Sequence, residues 1–168
     1  MTCTRTVAGS GQDHSAFVNA GGQLLTCGRR ACGSSSWLGQ GPDVDTSEVP
    51  RAVAGLSGVR VVGVAVGRFH TLAVSEEGAV YSFGVGGFGK LGHDDDSDRR
   101  IPKQIELKHK RIARVSCGAY HSAAVSEAGE VLCWGAGTYG NRGHGDSSDC
   151  YLATPVEELL GTNCSSVA

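Results

Sequence analysis

The stretch GRFHTLAV, residues 67–74, decides the fold, because its pattern occurs three times in the chain. Related segments begin at Gly11 and Gly118, and in each of the three segments a histidine follows the glycine by three residues. These histidines stand at positions 14, 70 and 121, so the spacing is 56 and then 51 residues. Self-similarity at such a period is the signature of a repeat architecture. The chain is therefore predicted to consist of three copies of one unit, at about residues 5–58, 59–110 and 111–168.

Glycines recur at matched distances after each histidine. They follow after eight residues, after fourteen and again after nineteen, the last set being Gly33, Gly89 and Gly140. The glycine eight residues on ends a predicted type I turn, where a positive φ is needed. We expect the landmarks of the motif to be structural: Gly11, His14, Gly22, Gly28, Gly67, His70, Gly78, Gly84, Gly118, His121, Gly129 and Gly135.

The segments between these landmarks have the composition of short strands. Residues 59–66 and 112–117 are rich in β-branched and small apolar residues and predict a first strand. The pattern predicts a second strand at 70–74 and 121–125, a third at 80–83 and 131–134, and a fourth at 103–107. No segment of ten or more residues has the apolar period of a helix. Four strands per unit of roughly 50 residues is typical of a propeller blade, so the predicted fold is all-β.

The combined motif resembles the RCC1 (regulator of chromosome condensation) repeat. The second copy carries it most fully, with GRFHTLAV, then GAVYSFG at 78–84 and GKLGH at 89–93. The third copy has Asn141-Arg142 where a polar residue and leucine are usual. The first copy has Cys27 in place of an aromatic residue and an insertion at Ser34-Ser35-Ser36. The resemblance implies a partial RCC1-like β-propeller, with about three four-stranded blades of an expected seven.

Seven blades of about 50 residues need roughly 350 residues, whereas the chain has 168. The stretch Ser165-Ser166-Val167-Ala168 matches the first strand of a further repeat. We therefore expect a part of a larger propeller or, if the product ends at Ala168, a partial array that associates with itself through its open blade faces.

Composition excludes several classes of function. The net charge of -2 gives no long-range attraction to nucleic acid, chromatin or an anionic membrane. The sequence has no apolar run of about 20 residues and no secretory signal at its start, so we expect an intracellular protein, cytoplasmic or nuclear. Seven cysteines without a CxxC pair argue against both a disulfide framework and a structural zinc site.

The residues with catalytic potential have a structural explanation in the repeat. His14, His70 and His121 occupy one repeated position, so a propeller places them one per blade, too far apart to share a metal ion. The glycine-rich run 84–89 is superficially like a dinucleotide fingerprint, but no helical pattern follows it. The sequence has no Gly-x-Ser-x-Gly elbow. We therefore predict no catalytic residue, no cofactor and no metal.

Two charged stretches are candidate partner-contact loops, since binding residues concentrate on loops of rigid scaffolds. Their residues are Asp94, Asp95, Asp96, Asp98, Arg99 and Arg100 in the second copy, and Lys108, Lys110 and Arg111 in the turn before the third. The resulting hypothesis is a non-catalytic protein-interaction module. The resemblance leaves two alternatives: an exchange factor for a small GTPase, or the substrate-binding part of a ubiquitin ligase whose catalytic domain lies outside these residues.

Overall fold

The computed structural model describes residues 8–29 and 37–168, and these residues form three four-stranded antiparallel sheets. Each sheet is a meander in which consecutive strands are neighbours, and we call each sheet a blade. The first blade comprises β1 (Ala8–Ser10), β2 (His14–Val18), β3 (Leu24–Arg29) and β4 (Thr46–Ala52). The second comprises β5 (Val61–Val66), β6 (His70–Ser75), β7 (Val80–Gly84) and β8 (Arg99–Gln104). The third comprises β9 (Ile112–Cys117), β10 (His121–Ser126), β11 (Val131–Gly135) and β12 (Cys150–Pro155).

Two 3-10 turns, Gly87–Gly89 and Glu157–Leu159, complete the regular structure of the described residues. The predicted all-β fold with four strands per unit is confirmed. The predicted insertion at Ser34-Ser35-Ser36 and the landmark Gly33 lie outside the residues that the structure describes.

The fourth strand of the second blade lies earlier than predicted. It runs from Arg99 to Gln104 instead of 103–107, and Ile105 and Leu107, which follow the strand, are buried between blades. The alternation of polar and apolar residues at 103–107 therefore reports burial in the core and not pairing in the sheet. As a consequence, Arg99 and Arg100 belong to β8. The prediction that they lie in the preceding loop is wrong.

Apolar side chains hold the blades together face to face. One cluster lies between the first two blades and consists of Ala16, Leu24, Val53, Leu56, Val61, Val64, Ala73 and Phe83. A second cluster lies between the second and third blades and consists of Leu72, Val74, Val80, Ile105, Leu107, Ile112, Ala124, Leu132 and Trp134. Each cluster draws on both of its blades, so burial of apolar area is what stacks the sheets.

Candidate functional site

The repeated histidine forms a hydrogen bond from one blade to the next. His70 begins β6 and is fully buried, and its Nε2 lies 2.9 Å from the Ser122 hydroxyl of the third blade. That hydroxyl donates its single proton to the carbonyl of Lys90 over 2.8 Å. His70 Nε2 must therefore be the donor to Ser122, which fixes the neutral Nε2–H tautomer. His14 Nε2 meets the Thr71 hydroxyl of the second blade in the same way, at 2.9 Å.

The glycine three residues before each histidine makes room for the imidazole ring. A Cβ added at Gly67 would lie 2.5 Å from Cε1 of His70 and 2.6 Å from the carbonyl oxygen of Gly118 in the next blade. A Cβ at Gly118 would lie 2.2 Å from Cε1 of His121. Side chains do not tolerate such distances, so the Gly-x-x-His spacing follows from the ring lying on the glycine.

Two further sets of repeated glycines have positive φ and close contacts. Gly84 pairs with His70 in the sheet with a φ of 113°, and a Cβ there would lie 2.4 Å from the carbonyl oxygen of Phe69. Gly78 ends the turn between β6 and β7 with a φ of 79°, and its carbonyl accepts the Ile112 N–H of the next blade at 2.9 Å. Their counterparts are Gly28 and Gly135 for the first set, and Gly22 and Gly129 for the second.

Burial keeps His14 and His70 neutral. Desolvation lowers the pKa of His14 to about 4 and, with the nearby positive charge of Lys90 as a second cause, lowers that of His70 to about 3. A neutral, hydrogen-bonded ring inside the interface has no access to a substrate. Within residues 8–29 and 37–168, no group of three His, Cys, Asp or Glu side chains lies close enough to hold a metal ion.

The histidines after the closing glycines are also held internally. The His93 ring is hydrogen-bonded to Ser82, which donates to the Leu91 carbonyl, and burial lowers the pKa of His93 to about 4. His144 Nε2 lies 3.3 Å from the Thr154 carbonyl oxygen. Both histidines hold the connection after the third strand against its own blade.

Most of the candidate contact residues have partners within the chain. Asp95 pairs with Arg99 at 2.6 Å, and Asp98 accepts the Gly86 N–H at 2.9 Å. Arg100 donates to the Pro42 carbonyl of the first blade. In the basic turn, Lys110 pairs with Glu130 at 2.5 Å and Arg111 with Glu127 at 3.0 Å.

Three of the candidate residues remain available to a partner. The side chains of Asp94, Asp96 and Lys108 are exposed and have no hydrogen bond or ion pair to the described part of the chain. The two aspartates follow β7 and Lys108 follows β8, so they lie at opposite ends of the second blade. The structure does not bring the two charged stretches into one site.

A row of aromatic side chains that the sequence analysis did not single out lies at the histidine end of the blades. Phe69 and Tyr120 directly precede the repeated histidines, and their ring centroids are 6.5 Å apart. Phe88 meets Tyr120 edge to face at 5.7 Å. Arg68 lies 4.8 Å from the centre of the Phe69 ring and donates to the Tyr120 hydroxyl at 3.0 Å. We call Phe69, Tyr120, Phe88 and Arg68 the aromatic strip.

The sequence held one signal for this strip. The residue before the histidine is aromatic in two of the three copies, whereas the first copy has Asp13 there. This aromatic residue lies in the turn between the first two strands of its blade, two residues after the repeated glycine, and not within the sheet. Its recurrence could have marked a surface feature.

Comparison with known families identifies the repeat. The family model described as "Regulator of chromosome condensation (RCC1) repeat" matches residues 21–74 and 77–125, and a second model of the same description matches 61–90 and 112–141. The human E3 ubiquitin-protein ligase HERC2 is 38% identical over 172 residues, covering 100% of this chain and 4% of that protein. The Ultraviolet-B receptor UVR8 of Arabidopsis thaliana is 33% identical, covering 94% of this chain and 35% of that protein. The chain thus spans a small part of these relatives.

Solved structures have the same blade arrangement. Human WBSCR16 superposes with a TM-score of 0.78 at 26% identity, covering 92% of this chain and 38% of that chain. Prp20p of Saccharomyces cerevisiae, whose structure was described with its binding to Gsp1p and histones, gives a TM-score of 0.78 at 22% identity over 92% of this chain and 38% of that one. The latter likeness concerns the fold alone. Among the described residues, no helix is long and apolar enough to cross a membrane.

Proposed function

We propose that this chain, which belongs to the RCC1-repeat family, is a non-catalytic protein-interaction module. One observation carries the proposal. His14 and His70, two of the residues with the most catalytic potential, are buried with lowered pKa values and are used between blades. Exposed side chains without internal partners lie instead on loops and turns of a rigid β scaffold, where binding residues concentrate.

Recruitment of a protein to a ubiquitin ligase is the more specific form of this proposal. The HERC-type ligases match over nearly all of the chain, with human HERC4 37% identical across 94% of it. The chain corresponds to 15% of HERC4, so ligase chemistry would reside elsewhere in such a protein. In this form of the proposal, the blades bind the protein that is to be modified.

Guanine-nucleotide exchange is the second candidate, because the Prp20p structure was described with binding to Gsp1p. Exchange needs a projecting element that can enter a nucleotide site. In residues 37–168, each connection between strands folds back onto its own or the next blade; for example, Asp94 N–H binds the Tyr151 carbonyl at 3.1 Å. This geometry favours a binding platform over an exchange factor.

We also propose that the chain works inside the cell and that its partner is a protein rather than chromatin. The described cysteines Cys27, Cys117, Cys133, Cys150 and Cys164 are free thiols, which is usual where thiols are kept reduced. Self-association through open blade faces, expected only if the product ends at Ala168, stays a prediction, and sedimentation velocity over a range of concentrations would measure it.

The test combines crosslinking with a titration. A photo-crosslinking amino acid at position 94, 96 or 108 captures the partner, which is then purified and titrated against the wild-type chain and against D94N/D96N and K108A. We expect adducts from at least one position and at least tenfold weaker binding by the matching variant. Absence of adducts from all three positions contradicts the proposed contact loops. Accelerated nucleotide release from a small GTPase would instead support exchange.

A further inference from the structure

We propose that the aromatic strip is a docking site for an extended peptide segment of a protein partner, in which apolar side chains alternate along the chain and a carboxylate lies beside them. This inference rests on the proposed function and names the chemistry of one partner. It uses residues other than the candidate contact residues Asp94, Asp96 and Lys108.

The spacing of the rings fits an extended chain. Successive centroids along Phe69, Tyr120 and Phe88 are 6.5 and 5.7 Å apart. Alternate side chains on one face of an extended peptide are separated by about 6.6 Å, twice the rise per residue of a strand. Neighbouring rings of the strip therefore match the spacing of alternate side chains of a peptide.

The rings are accessible and fixed in position. Tyr120 and Phe88 are 38% and 48% exposed, and Phe69 is half-buried against the buried Trp37 ring at 5.3 Å. The Arg68 guanidinium holds Phe69 and Tyr120 together and is itself held by Gln12 Oε1 at 2.7 Å. Rigid aromatic side chains supply contact area without a large loss of conformational entropy on binding.

Phe88 keeps an unfavourable backbone conformation without burying its ring. Its φ is 65°, in the left-handed region that a bulky residue rarely adopts. Glycine would be preferred there, and glycine stands on both sides at Gly87 and Gly89. Backbone strain that the packing does not explain is concentrated at binding and switch sites. The strained residue presents its ring at the end of the strip, against Tyr120.

The charge of the strip selects an acidic segment. Arg68 is its single cation, and its two hydrogen bonds to Gln12 and Tyr120 leave guanidinium donors for a carboxylate. Nucleic acid can also stack on aromatic rings, but it requires a continuous positive groove for its phosphates. Here Asp13 takes the place of the aromatic residue in the first blade, and Asp94 and Asp96 lie at the same end of the second. A polyanion is therefore disfavoured.

The experiment selects peptides from a random twelve-residue phage library on the full chain. We expect enriched sequences with alternating apolar residues and an aspartate or glutamate within two positions of one of them. A synthetic peptide of the enriched sequence is then titrated against Phe88→Gly and Arg68→Gln, with at least tenfold weaker binding expected for each. Phe88→Gly suits the φ of this position, so its thermal unfolding should be no lower than that of the wild type.

Tyr139→Gly is the matched control. Tyr139 occupies the position of Phe88 in the third blade, is 94% exposed and has no ring contact with the described residues. Its substitution should leave the affinity unchanged. The inference is overturned if no peptide is enriched, if Phe88→Gly binds as well as the wild type, or if a dT12 oligonucleotide binds more tightly than any peptide. Crosslinking at positions 94, 96 and 108 would still decide the proposed function separately.

Discussion

Replacing Ser122 by alanine removes the hydroxyl that joins the second blade to the third. The imidazole of His70, which is 0% exposed, then keeps an Nε2–H without an acceptor. Leaving a buried donor unpaired costs about 1–3 kcal/mol. The Lys90 carbonyl loses the Ser122 bond but still accepts from Trp134 Nε1 at 2.9 Å, so it adds little to the cost. We expect the free energy of unfolding to fall by about 2 kcal/mol, within that range for one buried donor.

For a chain of this length, that loss corresponds to a decrease in Tm of about 4–8 °C. Urea unfolding, followed by the fluorescence of the buried tryptophans Trp37 and Trp134, measures the loss in free energy of unfolding. Ser15→Ala is the control, because Ser15 holds the same repeat position but bonds to no histidine of the described chain. Its effect should stay within about 0.5 kcal/mol, as for an ordinary surface substitution. If the two variants lose the same stability, the bond between blades does not have the role assigned to it.

In the folded chain the pKa values of His14 and His70 are about 4 and 3, below the ordinary 6.5. The free energy of unfolding is therefore fully retained above pH 6.5, and it falls by up to about 1.4 kcal/mol per pH unit for each histidine as the pH drops toward 4. His70→Gln should make this dependence of the unfolding free energy on pH less steep. Gly67→Ala should lower the free energy of unfolding by at least about 2 kcal/mol. Gly87→Ala should lower it by less than about 1 kcal/mol in the same urea assay, because the atom nearest to an added Cβ there is Lys90 Nζ at 3.8 Å. Equal effects would contradict the packing argument. Arg142→Leu places a leucine where the other two copies have one. Because Arg142 is a buried cation, its replacement should leave Tm unchanged or raise it. A clear decrease in Tm would show that the ion pair of Arg142 with Asp146 stabilises the blade.

The repeat made the architecture predictable, because each landmark glycine reports a local requirement. Gly78 needs a positive φ at a turn, and Gly67 needs an open side for a ring three residues away. These requirements act within a few residues and are therefore visible in the sequence. The fourth strand was misplaced because Ile105 and Leu107 are apolar for a contact with the next blade, which the local pattern does not distinguish from sheet pairing.

The surface was less predictable than the fold. Whether a charged side chain is available depends on contacts between distant residues, such as Lys110 with Glu130 and Arg100 with Pro42. The aromatic strip likewise joins residues about 50 positions apart, and only the stacking of blades brings Phe69 to Tyr120. The local sequence pattern therefore does not show which of the charged side chains are free.

The central claim is that the repeated histidines serve the contact between blades, so that function lies on the exposed surface. Nitrogen-15 chemical shifts of the His70 imidazole test it most directly. The account predicts a neutral ring protonated at Nε2 at pH 7, unchanged at pH 5 and unaffected by added Zn²⁺, since the folded pKa is about 3 and Ser122 accepts that proton. A cationic ring at pH 5, a proton at Nδ1 or a shift on addition of zinc would contradict it.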